Sequence, residues 1–377
     1  MDFAGLGYSE AQIDLLDIAA NFCRDKSPME RVRKLMDSPA GFDEALWSEM
    51  AALGWTAIAI PQEFGGAGLS LAEVVPVAEQ MGRRMLASPF IASALVAQAL
   101  IAGGNGAQKA AWLPQLAQGM PASIALFEPH GDWDLAHITA TAKADVDGGG
   151  EQIRLSGEKQ FVQWGEAAQL MIASVLWEGS PALLLLTPGD LPAGALRREA
   201  IVDETKRSAA ITLDGVTLPR TALLDQDKAA AALSHIDRAA LLLQSAEMCG
   251  GAQRVIDTTA DYLQTRKQFG AVIGGYQALK HPTVNAYIEY EKARSLLYSA
   301  AYNFADQGAG KVAVHMAKAA ADRAYSYAAD RAIQFHGGFG FTHDCDAGLH
   351  RRAAIFHASQ HGDAAWHRAK LADLLLA

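Results

Sequence analysis

A chain of 377 residues with a formal net charge of −10 exceeds one small module and has room for two or three domains, since single domains run to roughly 100–200 residues. Its Lys and Arg residues are scattered through helical segments instead of gathering into a basic stripe, which argues against nucleic acid as a partner and leaves anionic ligands to local basic pockets. Cys23, Cys249 and Cys345 are far apart and odd in number, as in a reduced protein without a disulfide; with no basic-then-apolar leader and no apolar run near the ~20 residues of a membrane span, a cytoplasmic protein is expected.

From Ser9 to about Gln118 the apolar residues recur at three and four residue intervals, as in Ile13, Leu15, Leu16 and later Leu95, Val96, Leu100, so helices dominate residues 1–119. They are interrupted at Pro61-Gln62-Glu63-Phe64-Gly65-Gly66-Ala67-Gly68, where the glycines permit a turn, and Ser70 is placed to cap the next helix. Over residues 120–224 the texture changes to short apolar runs, Ile138 to Ala142, Leu170 to Leu176, Leu183 to Leu186 and Ala210 to Leu213. Turn residues at 147–150, 188–190 and 214–215 separate them, a spacing that predicts a β-barrel or sandwich. Residues 225–377 return to long Ala-rich helices, for instance Leu241 to Arg266 and Lys311 to Gln334, with room for four in a bundle.

Four motifs stand in this order: Gly54 to Gly68 with Glu79-Gln80-Met81-Gly82-Arg83; Leu155 to Val162; Arg266-Lys267-Gln268-Phe269-Gly270 with Gly275 to His281; and Gln334-Phe335-His336-Gly337-Gly338-Phe339-Gly340 to Thr342. Together they span nearly the whole chain, which resembles the acyl-CoA dehydrogenase superfamily: an α-helical protein with an inserted β-domain. The resemblance implies FAD, an oligomer, and arms built on Arg266 and Gln334 that reach the flavin of a neighbouring subunit. The residues suit that role on their own chemistry. A pyrophosphate calls for forked, permanently charged donors, which Arg266 supplies. Gly337 and Gly338 let backbone approach an oxygen ligand, Gln334 and Gln277 offer amides, and Phe269 could cover an aromatic edge.

The family's reaction removes the α-proton of an acyl-CoA thioester with a carboxylate while FAD takes hydride from the β-carbon. Both places where relatives carry that carboxylate are altered. In the C-terminal loop Gln360 or His361 stands there, and on the helix before Arg266 the position falls on Ala240. The nearest substitutes are Glu247, His361 and Asp363. Glu247 lies two turns from Ala240 on the same face, roughly 10 Å along the axis. If it points inward, desolvation is expected to raise its pKa; the alternative is a structural glutamate paired with an Arg. Phe127 and Trp133 replace small hydroxyl residues of the family and suggest a narrowed thioester entrance.

These departures resemble those of bacterial members that form α2β2 assemblies on CoA thioesters of bulky, steroid side-chain type acids. The leading expectation is an FAD-dependent α,β-desaturation of an acyl-CoA, with electrons passed to an electron-transfer flavoprotein by a homo-oligomer or an α2β2 heteromer. The alternatives are a non-catalytic subunit that completes a partner's flavin site, and a flavin monooxygenase or nitroalkane-oxidising relative. His336, His343, His350 and His357 recur every seven residues, but the intervening glycines break any helix that would align them, and no metal is expected.

Overall fold

The computed structural model describes residues 9–145 and 151–376; the turn expected at 147–150 lies outside the described residues. Helix α1 (Glu10–Lys26) starts in a reciprocal box: Gln12 N donates to Ser9 Oγ at 3.1 Å and Ser9 N to Gln12 Oε1 at 3.0 Å, satisfying two amides that have no partner inside the helix. After it come α2 (Met29–Met36), α3 (Glu44–Ala52), α4 (Val75–Arg84), α5 (Phe90–Gly103) and α6 (Gly106–Ala117). The Gly65–Gly68 run is the predicted turn, with φ of 81° at Gly65 and 69° at Gly68, and Ser70 caps one 3-10 turn that leads into α4.

The middle region is β1 (Ala122–Ala125), β2 (Thr141–Ala144), β3 (Gln152–Ser156), β4 (Glu158–Gln163), β5 (Leu170–Trp177), β6 (Ser180–Leu186), β7 (Leu196–Glu199), β8 (Ser208–Thr212) and β9 (Thr217–Pro219). They make two sheets. One has the order β1-β5-β2-β3-β9 with β6 also on β5, the other the order β4-β8-β7. Leu155, Met171 and Leu184 of the first share one core with Val162 and Ile211 of the second, so the sheets pack on each other. The strand expected at Ile138 begins later, at Thr141, because the amides of Thr139 and Ala140 donate to the Glu128 carboxylate and not to a neighbouring strand.

The third region holds α7 (Ala229–Thr265), the hairpin β10 (Lys267–Gln268) and β11 (Ala271–Val272), then α8 (Gln277–Asn303), α9 (Ala309–Phe335), α10 (Asp346–Ser359) and α11 (Ala364–Leu376). Three helices are long and the fourth member, α10, is short, with α11 added against α9. Alanines on α7 and α9 permit close approach, and glycines set the tightest crossing. A Cβ on Gly82 of α4 would lie 2.0 Å from the Glu247 carbonyl oxygen, and one on Gly250 of α7 would lie 1.8 Å from that of Glu79. The α4–α7 seam therefore fixes where Glu247 sits. Beside it Glu79, fully buried, accepts from Arg294 Nε and Tyr298 Oη, each at 2.6 Å, so α4 is tied to α8 by a hydrogen-bonded ion pair.

Candidate active site

The ends of α7 and α9 build an outward-facing platform. Tyr262 stacks on His336 with ring centroids 4.2 Å apart, while Leu263, Ile273 and Phe335 close a small apolar core beneath. On this base stand Arg266, Phe269, Gln277, Gln334, Gly337 and Gly338, all exposed. Arg266 forms no ion pair among the described residues. Phe269 and Gly270 turn the β10–β11 hairpin with φ of 54° and 78°, a two-residue turn that asks for positive φ at both central positions. A Phe there is strained, and its ring is 92% exposed. Gly337 has φ 62°, and nothing lies within 4 Å of a Cβ built on Gly337 or Gly338, so their backbone is open to a ligand and not hidden by packing. An unpaired guanidinium beside open glycine backbone fits the pyrophosphate of FAD.

Glu247 is not on this platform. It lies inside, where α5, β4, α7 and the loop after α10 meet around a cavity of about 30 Å³ lined by Phe127, Phe161, Gln163, Gln244, Glu247, His357 and His361 among others. Glu247 is 8% exposed. Lys206 Nζ donates to its Oε1 at 2.5 Å, and His357 Nε2 lies 3.7 Å from Oε2. Burial pushes its pKa up, but the Lys206 ammonium, together with His357, more than offsets this, and the group is held below the ordinary glutamate value. The expected upward shift is thus corrected: a cation 2.5 Å away outweighs desolvation. The partner is Lys206 in place of the Arg that the alternative expectation assigned. His357 is pushed down to about 4 by burial and is neutral at physiological pH.

The loop that replaces the family's usual carboxylate is Gln360-His361-Gly362-Asp363. Gln163 Nε2 donates to Gln360 Oε1 at 3.4 Å. His361 is buried, its Nδ1 lies 3.2 Å from Asp237 Oδ1 on α7, and its ring meets Phe127 edge-on with centroids 4.7 Å apart. Asp363 is taken up in structure, accepting the Trp366 amide at 2.8 Å to cap α11. Ala240 is fully buried among apolar residues. Trp133 Nε1 donates to Ser359 O at 2.9 Å and its ring meets Trp366, so the segment after Phe127 is strapped across this loop. His336 and His343 precede α10 while His350 and His357 lie on it, so the seven-residue spacing does not make one face. Sequence reasoning missed Lys206, Asp237, Gln244 and Lys318, which reach the site from three separate places in the chain, the segment before β8, α7 and α9.

Among the described residues no helix is long and apolar enough to cross a membrane. The description "Acyl-CoA dehydrogenase, N-terminal domain" matches residues 9–120, and "Acyl-CoA dehydrogenase, C-terminal domain" matches residues 231–376. The chain is 31% identical over 316 residues to Acyl-CoA dehydrogenase FadE12 of Mycobacterium tuberculosis, covering 79% of each, and 30% identical to Acyl-CoA dehydrogenase IpdE2 of Mycolicibacterium smegmatis, covering 89% of each. Among solved structures a variant of the Tcur3481-Tcur3483 steroid ACAD superposes with a TM-score of 0.87 at 28% identity, covering 98% of both chains. The ChsE4-ChsE5 complex from Mycobacterium tuberculosis has the same fold, with a TM-score of 0.89 at 24% identity, covering 100% of this chain and 99% of that one. Two family matches over most of the chain, on a helical, sheet and helical architecture, show that this protein belongs to the acyl-CoA dehydrogenase family, oxidoreductases that act on a CH–CH bond.

Proposed function

We propose that the chain acts with FAD to desaturate an acyl-CoA thioester between its α and β carbons, as one subunit of an α2β2 assembly with a homologous chain, and that an electron-transfer flavoprotein accepts the electrons. The observation that carries this is the exposed platform. Arg266, Phe269, Gln277, Gln334, Gly337 and Gly338 project from this base and are exposed among the described residues, which suits them to close on a flavin lying largely on a second subunit. Arg266 would hold the pyrophosphate, Gln334 and the Gly337–Gly338 backbone the oxygens beside it, and Phe269 an aromatic edge. FAD, when bound, supplies the two-electron acceptor. The same reading divides the chain at about residues 119 and 224 into helical, β and helical domains. The resemblance to a steroid-type heteromer favours bulky acids as the substrate class.

For the α-proton the chain offers two groups on the cavity wall. Glu247 is ionised and shielded from water but tied to Lys206; His361 is backed by Asp237. A second reading, that the chain only completes a partner's flavin site, is favoured by the small size of the cavity, about 30 Å³. Expression of the chain alone and with its most similar neighbouring homologue tests both. FAD content, native mass and anaerobic bleaching by 3-phenylpropionyl-CoA are recorded for each. Flavin and a tetramer on co-expression support the assembly. A flavin-loaded, reactive homodimer of this chain alone refutes the heteromer, and a colourless tetramer refutes the role of FAD.

A further inference from the structure

Three titratable groups line the inner cavity, Glu247, His357 and His361, and their surroundings separate them; His357 faces the Glu247 carboxylate at 3.7 Å, and burial pushes it down to about 4, which makes it a weak base. Glu247 is already engaged with Lys206 at 2.5 Å; protonating it would leave an ammonium without its counter-ion in the interior, which is costly. His361 has the opposite arrangement. Its Nδ1 lies 3.2 Å from Asp237 Oδ1, and a carboxylate there favours the tautomer with hydrogen on Nδ1, leaving the Nε2 lone pair free to accept. Among the described residues Nε2 has no hydrogen-bond partner, while the ring lines the cavity with Phe127, Phe161 and Gln163. Gln244, 4% exposed, lines the same cavity and carries a side-chain oxygen without a partner, a polar atom available to a ligand.

The backbone holds His361 in that place against its own preference. Its φ is 54° and that of Gly362 is 101°, and a non-glycine residue in the left-handed region persists only when its surroundings enforce it. Here they do. Lys318 Nζ, fully buried, donates to His357 O at 3.1 Å and Gly362 O at 2.9 Å. His367 Nε2 donates to Gly362 O at 3.1 Å, while its Nδ1 accepts from His315 Nδ1 at 2.8 Å. The loop is fastened on both sides of His361, so the imidazole is preorganised.

We propose that Nε2 of His361, oriented by Asp237, accepts the α-proton of the acyl thioester, a role that rests on the desaturation reading above. The Cα–H bond breaks heterolytically, the proton passes to Nε2, and the electron pair stays on Cα and spreads into the thioester carbonyl; Asp237 stabilises the imidazolium. Lys318 and His367 are positioning residues. Because the cavity measures about 30 Å³ and the Phe127 ring packs edge-on against His361, a thioester needs more room beside that ring than the structure provides.

The test is deuterium wash-in at the α-carbon, read by mass spectrometry. The co-purified, FAD-loaded assembly is incubated anaerobically in D2O with 3-phenylpropionyl-CoA and with butyryl-CoA, and bleaching is recorded on the same samples. His361→Ala is expected to slow exchange by on the order of 10²-fold or more, with FAD content and native mass unchanged and exchange restored by millimolar imidazole. Asp237→Asn, which keeps the fold if His361→Ala does not, is expected to slow exchange while Phe127→Ala speeds it. Wild-type exchange rates in both His361→Ala and Asp237→Asn, or a loss that imidazole does not restore, overturn the proposal alone. A wild-type assembly that neither exchanges nor bleaches overturns the desaturation reading with it.

Discussion

Replacing Lys206 by Met removes the cation that holds Glu247 in the interior. The two side chains are 11% and 10% exposed and their charged atoms lie 2.5 Å apart, and His357, the other basic group near the carboxylate, is neutral at pH 7 because burial pushes it down to about 4. Stranding one charge of a buried pair costs about 3–5 kcal/mol, so the urea midpoint of Lys206→Met falls sharply. The double variant Lys206→Met/Glu247→Leu, which strands nothing, regains most of it. The pH dependence carries a sign. In the wild type Glu247 is held below its ordinary value; its share of stability is present above the unfolded pKa and is lost as pH falls through the folded one. In Lys206→Met the cation is gone and desolvation, the largest influence on this carboxyl, lifts the folded pKa above the unfolded value, so the deficit of the variant is largest near pH 8 and shrinks towards pH 5. Tryptophan fluorescence in urea at pH 8, 6.5 and 5 measures all three chains. A single variant as stable as the wild type, a double variant as unstable as the single, or a deficit that grows towards acid refutes the pairing.

Three buried histidines give a second acid dependence. Burial lowers His357 to about 4, His350 to about 3 and His367 to about 2. The unfolded chain binds these protons first, so stability is complete above about pH 6.5 and declines as pH falls towards those values, by up to about 1.4 kcal/mol per pH unit for each group. Unfolding midpoints that stay level from pH 7.5 to 5 contradict their burial as neutral rings. Gly250→Ala, whose Cβ would stand 1.8 Å from the Glu79 carbonyl oxygen, forces α4 and α7 apart. It is expected to cost about 1–3 kcal/mol in thermal or urea unfolding, and a neutral effect would show that the seam is looser than described. Arg266→Lys keeps the charge but loses the forked donors; given about 1.5–3 kcal/mol for a hydrogen bond to a charged group, FAD retention in the assembly is expected to weaken by at least about tenfold, measured by flavin release on dilution. Unchanged retention removes Arg266 from the pyrophosphate.

The amino-acid pattern by itself determined the helical, β and helical order, the turn at Gly65–Gly68 and the Ser70 cap. Each of these comes from local chemistry: apolar spacing, positive φ at glycine and a side chain that caps a helix. It also showed that no carboxylate stands at Ala240 or Gln360. Which group occupies the site in their place was decided by tertiary structure, because the deciding partners are remote. Lys206 is separated from Glu247 by β8, β9 and the first half of α7, Asp237 meets His361 across the bundle, and Lys318 and His367 fasten a loop that neither belongs to. Periodicity placed Glu247 on the same face as Ala240, but a pKa is set by the charges that packing brings within a few ångströms, and those lie on Lys206 before β8 and His357 on α10.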